Sequence, residues 1–110
     1  MAQVVERRYR RFRLAAPVVF KWWDNNGTVR NGRGYSRDIS GGGIFTRAAR
    51  DCPPIASVLR YEVLLPQITD TSAAILIKAA GRVMRTQRFP NSGYEGFAVQ
   101  SSKVMVSSIE

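Results

Sequence analysis

In SVLRYEVLLP, residues 57–66, apolar and polar positions alternate: Leu59, Tyr61, Val63 and Leu65 fall on one face, Arg60 and Glu62 on the other. A period of two predicts a half-buried strand. LAAPVVFKWW, residues 14–23, is rich in β-branched and aromatic residues, and the DNNG that follows at 24–27 signals a hairpin because Asn and Gly tolerate positive φ. A second strand is therefore expected from about Thr28 to Ile39, and a short third at 44–46. In ILIKAAGRVMRTQ, residues 75–87, Ile75, Ile77, Ala79 and Val83 share a face against Lys78, Arg82 and Met84, and Gly81 suggests a bulge or bend. After the turn RFPNSG, residues 94–100 form a closing strand in which Phe97 and Val99 point alike. Some six short strands without an amphipathic helix predict an all-β domain, a small antiparallel barrel or sandwich.

Length agrees with one such domain. A chain of 110 residues, 45% hydrophobic, can bury one core and is too short for two ordinary ones. No apolar run approaches the roughly 20 residues that span a bilayer, so a soluble, cytoplasmic protein is expected. Cys52 is the single cysteine and histidine is absent, which removes intrachain disulfides, zinc sites built on cysteine pairs, and every catalytic arrangement that needs an imidazole. No enzymatic activity, catalytic residue, metal or cofactor is expected. Cys52 reads as a small buried residue or loop thiol.

Charge points to an anionic partner. The net charge is +9, carried mainly by Arg, and ERRYRRFR at 6–13 places five arginines beside Glu6. Arg offers a planar fork of donors that matches phosphate oxygens and the guanine edge, whereas Lys acts as a hydrated point charge. An acceptor block lies at RDISGGGIF, 37–45. If Asp38 to Ser40 is extended, their side chains point to one face; Asp38 can accept from guanine N1–H and N2–H, and Ser40 adds a hydroxyl. Gly41, Gly42 and Gly43 allow backbone conformations closed to other residues and let a ligand approach the main chain. Of the adjacent Trp22 and Trp23, one is expected in the core and one on the surface. Arg82 and Arg85 extend the basic surface.

These residues carry a resemblance. RRYRR contains an R-x-x-x-R pair, Arg7 and Arg11, and DISGGG contains D-x-S-x-x-G as Asp38, Ser40 and Gly43, about 27 residues further on. In this order, ahead of a strand-rich chain and with APVVF, GRVMR and GFAV following, they resemble the PilZ domain, a bacterial receptor module for the second messenger cyclic di-GMP. The resemblance implies a six-stranded antiparallel split barrel (residues 14–101) behind a flexible, arginine-rich ligand-binding segment (1–13) that wraps the ligand against the barrel's outer face. It implies that Arg7, Arg8 and Arg11 contact phosphates and guanine, and that Asp38, Ser40, Gly42 and Gly43 contact a guanine. It also implies a downstream protein partner. The arginines are dense enough that Arg8 could replace Arg7, and Arg10 or Arg13 could replace Arg11. Residues 102–110 are expected as a tail, since SSKVMVSSIE is β-branched and serine-rich and leaves the family's carboxy-terminal helix short or absent. A different class of function remains as the alternative: a small basic barrel that binds single-stranded nucleic acid by charge and stacking, a partner not otherwise expected.

Overall fold

A computed structural model describes residues 11–50, 52–65 and 74–109 of the chain. Seven strands follow one another without a helix among the described residues: β1 (Phe12–Arg13), β2 (Pro17–Trp23), β3 (Val29–Ser40), β4 (Gly43–Ala48), β5 (Val58–Leu65), β6 (Ala74–Phe89) and β7 (Tyr94–Ile109). The alternation in sequence decides which way each strand faces. Val18, Phe20 and Trp22 of β2 are buried and stand opposite Val63, Tyr61 and Leu59 of β5, while Val19, Lys21 and Trp23 face out. The two tryptophans divide as expected, Trp22 in the core and Trp23 on the surface.

All pairings are antiparallel, in the order β3-β2-β5-β6-β7-β4, and β4 returns to pair with β3. That last pairing closes a six-stranded barrel, and β1 adds to the outside of β3 as one extra strand. The inward faces fill the centre with Phe20, Leu59, Val63, Val83, Phe97 and Val99, among others. Phe97 packs edge-on against Phe20 at a centroid separation of 4.9 Å, a geometry that suits the ring quadrupoles.

Two irregularities re-aim side chains. On β6 and β7 the register slips at Ala80/Gly81, leaving Ser102 of β7 as the extra residue, and again at Val83/Arg85, leaving Met84 of β6 extra. The bend read from Gly81 is thus a true bulge. On β3 the register slips between Ser36 and Asp38, with Arg37 extra.

Two boundaries differ from expectation. Residues 102–109 are not a tail: they prolong β7, pairing with the first half of β6 from Ala80↔Lys103 to Ala74↔Ile109. Their β-branched residues, which argued against a helix, favour a strand once β6 offers a partner. At the other end, Phe12–Arg13 belongs to the sheet and not to a separate segment.

Candidate functional site

The β3–β4 connection builds the site. Ser40 pairs with Gly43 across a two-residue turn, Gly41 and Gly42. The Ser40 hydroxyl accepts from the Gly42 N–H at 3.2 Å and lies 3.5 Å from the Gly43 carbonyl, so it clips the turn shut. The glycines here permit conformations closed to other residues but do not adopt them: the positive-φ glycines among the described residues are Gly27 and Gly93, in other turns. Close approach is the reason instead at Gly43: a Cβ there would sit 2.0 Å from the Val99 carbonyl oxygen across the β4–β7 pairing.

Next to this turn lies a groove of ≈ 290 Å³ on the barrel's outer face, running over β3, β4, β7 and β6. Asp38 and Ser40 line it from β3 and Met84 and Arg85 from β6, with Gly42, Gly43 and Ala98 also in the lining. Arg11 enters from the amino-terminal side. The structure therefore gathers Arg11, Asp38, Ser40, Gly42 and Gly43, five of the residues expected in the site. Arg7, Arg8 and Arg10 lie outside the described residues.

Arg11 is brought there by β1. The pairings Phe12↔Ile39 and Arg13↔Asp38 run antiparallel, so the next position places Arg11 beside Ser40. Ser36 anchors the link that follows. Its buried hydroxyl accepts from the Ala16 N–H at 2.9 Å and donates to the Leu14 carbonyl, while the Leu14 N–H donates to the Arg37 carbonyl at 3.1 Å. Arg13 stands directly opposite Asp38 but does not line the groove.

Arg37 was not among the expected site residues, because in a regular strand it would face away from Asp38. The bulge turns it to the same outer face. Its Nε donates to Asp38 Oδ2 at 2.8 Å, and its guanidinium carbon lies 3.9 Å from the centre of the Phe45 ring. Phe45 itself is buried on this outer side, with Arg85 at 5.4 Å and Phe89 edge-on at 6.5 Å. A cation over an aromatic face is stabilised by the ring quadrupole and has its orientation fixed. Arg85, expected only as part of a general basic surface, lines the groove; Arg82 does not, its Nη1 donating to the Ala56 carbonyl at 3.4 Å. The Met84 bulge is what sets Arg85 on the groove side.

The arrangement is a trough with the Asp38 carboxyl group on one wall and three guanidinium groups around it. Chemically it can hold a compact ligand that carries anionic oxygens and a donor edge together.

Among solved structures the chain is similar to the Bacillus subtilis inhibitor of motility MotI/DgrA, with a TM-score of 0.72 at 22% identity over 96% of this chain and 46% of that one. The fold is PilZ-like. This chain spans less than half the length of that protein. No family model matches the chain, nor does any curated protein.

Proposed function

We propose that the chain is a non-enzymatic receptor for cyclic di-GMP. The observation that carries this reading is the joint placement of Arg11, Asp38 and the Ser40–Gly43 turn around one groove, which Arg37 and Arg85 make more cationic. The ligand's chemistry answers each part. A guanine N1–H and N2–H can donate to the Asp38 oxygen that Arg37 does not engage, and guanine O6 and N7 are good bidentate acceptors for Arg. Two phosphates suit the forks of Arg11 and, in this proposal, of Arg7 and Arg8. The clipped turn presents its main chain to the base, in keeping with the PilZ resemblance of its sequence.

In signalling, the phosphates tie the arginine segment to the barrel wall and change the surface offered to a protein partner. The likeness to an inhibitor of motility is one of fold and does not name that partner. A single-stranded nucleic acid would stack bases on exposed rings; the ring of this groove, Phe45, is 4% exposed and covered by guanidinium groups, which favours the small ligand. Competition among cyclic di-GMP, cyclic di-AMP and GMP for the groove tests the reading. Cyclic di-GMP should displace a fluorescent analogue with a clear margin over cyclic di-AMP, because adenine lacks the N1–H and N2–H donors that Asp38 accepts, and over GMP, because a mononucleotide offers one phosphate and one base where the arginines and the turn can engage two. Equal competition by cyclic di-AMP would remove the basis for the assignment.

A further inference from the structure

A second groove, of ≈ 1020 Å³, runs over β3, β2, β5, the first half of β6 and the second half of β7, with Ala49 and Arg50 after β4, and shares no lining residue with the first. Strand register fixes what it presents. Lys21 stands directly opposite Arg60, and Glu62 directly opposite Lys78. Arg33 flanks Val19, and Lys103 stands opposite Ala80. With Arg50 the groove has six cations against the single carboxylate Glu62, and all three lysines of the chain are among them.

Like charges directly across strands repel and weaken the sheet. Elsewhere the barrel avoids this: Arg88 of β6 faces Glu95 of β7 and pairs with it at 3.3 Å. On the second wall, no described carboxylate comes within ion-pair distance of any of the six cations. A concave cluster with such an excess of cations over carboxylates raises the local concentration of anions.

The lining also indicates which anion. Between the cations lie Val19, 50% exposed, and Met105, 62% exposed, which give the surface apolar strips of adaptable shape. The rings in the groove's lining, Phe20 and Tyr61, touch it only from the buried side, and the exposed Trp23, which shares the outer face of β2 with Lys21, lies outside that lining. Carboxylates interleaved with aliphatic side chains match both features; a sugar-phosphate strand matches only the charge. We propose that this groove docks an acidic segment of a partner protein in which Asp or Glu alternates with aliphatic residues. The proposal does not depend on which ligand the first groove binds.

Fluorescence anisotropy with a labelled peptide alternating Glu and Val tests it, using the full chain. The peptide should bind, more weakly as salt rises, and the Lys21→Glu/Arg60→Glu double variant should lose at least about tenfold in affinity while Arg11→Ala loses nothing. Lys21→Glu alone should raise the thermal midpoint, since it turns a repulsive cross-strand pair into an attractive one. Circular dichroism checks folding. If the charge reversal does not fold, Lys21→Gln/Arg60→Gln should still weaken the peptide several-fold. No binding of the peptide, or affinity unchanged in the folded double variant, would overturn the proposal. So would tighter, equally charge-dependent binding of oligothymidylate or phosphatidylglycerol vesicles of matched charge.

Discussion

Arg37 and Asp38 are neighbours in sequence, yet they face the same side of β3 and share an ion pair of 2.8 Å. Only the bulge at Arg37 allows this, because successive residues of a regular strand point to opposite faces. The pair is partly buried, and the stack on Phe45 fixes the guanidinium from below. Arg37 thereby holds the Asp38 carboxylate at a set angle toward the groove.

Arg37→Ala should weaken cyclic di-GMP binding by on the order of tenfold, about 1.4 kcal/mol, with a stability change of no more than about 1 kcal/mol because the pair is partly solvated. Arg37→Lys should recover only part of the affinity, since an ammonium keeps the charge but not the fork or the stack. Titration calorimetry and thermal denaturation of the two variants check this. Parent-like binding by Arg37→Ala would show that Asp38 needs no such support.

The arginine register yields a second expectation. Arg11 lines the groove and Arg13 does not, although Arg13 faces Asp38 across the β1–β3 pair. Arg11→Ala should therefore cost roughly 1–3 kcal/mol of ligand binding, the scale of a charge-assisted contact, and Arg13→Ala clearly less. Calorimetric titration of both variants decides the matter, and a larger loss at Arg13 would place the phosphate contacts two residues further along β1, opposite Asp38.

Ser36 links the arginine segment to the strand that carries Asp38. Ser36→Ala leaves the buried Ala16 N–H without the hydroxyl acceptor it has now, which should destabilise the fold by about 1–3 kcal/mol. Chemical denaturation measures this. Ser36→Thr keeps the hydroxyl and should recover part of the loss; an Ala variant as stable as the parent would show that the hydroxyl is dispensable.

Much of this fold is legible in the chain because alternation is a local property. Leu59, Tyr61 and Val63 announce both strand and inner face without reference to their partners, whereas PVVFKWW announces a strand but not its inner face, since the apolar Val19 and Trp23 face out. Asp38 and Ser40 are legible for the same reason, as alternate residues of one strand. Arg37 and Arg85 are not, because each faces the groove through a bulge, and a bulge exists only in the pairing of two strands. The adjacency of Arg37 to Asp38 was the one visible hint. The second half of β7 was hidden likewise: SSKVMVSS carries no turn signal and little alternation of charge, and becomes strand through the first half of β6.

Tyr61 gives a pH dependence. Burial pushes its phenol above the ordinary tyrosine value, and the 2.6 Å hydrogen bond with Ser101 opposes this only in part. A pKa raised in the folded state means that the folded chain holds the proton more tightly than the unfolded one. The contribution is fully present below the unfolded value of about 10 and is lost as pH rises through the folded one. Thermal midpoints of the parent should fall more steeply above pH ~10 than those of Tyr61→Phe. Parallel curves would mean that the phenol ionises without cost in the folded chain.

The most direct measurement is calorimetric titration of cyclic di-GMP into the parent protein and into Asp38→Ala. The parent should bind in the micromolar range or tighter, on the order of −8 kcal/mol or better. Asp38→Ala should bind about 1–3 kcal/mol more weakly, because guanine donors are left unpaired, while its thermal midpoint stays close to the parent's. No heat from the parent at ~100 μM ligand, or equal affinity in a folded Asp38→Ala variant, would contradict a cyclic di-GMP receptor that reads guanine through Asp38.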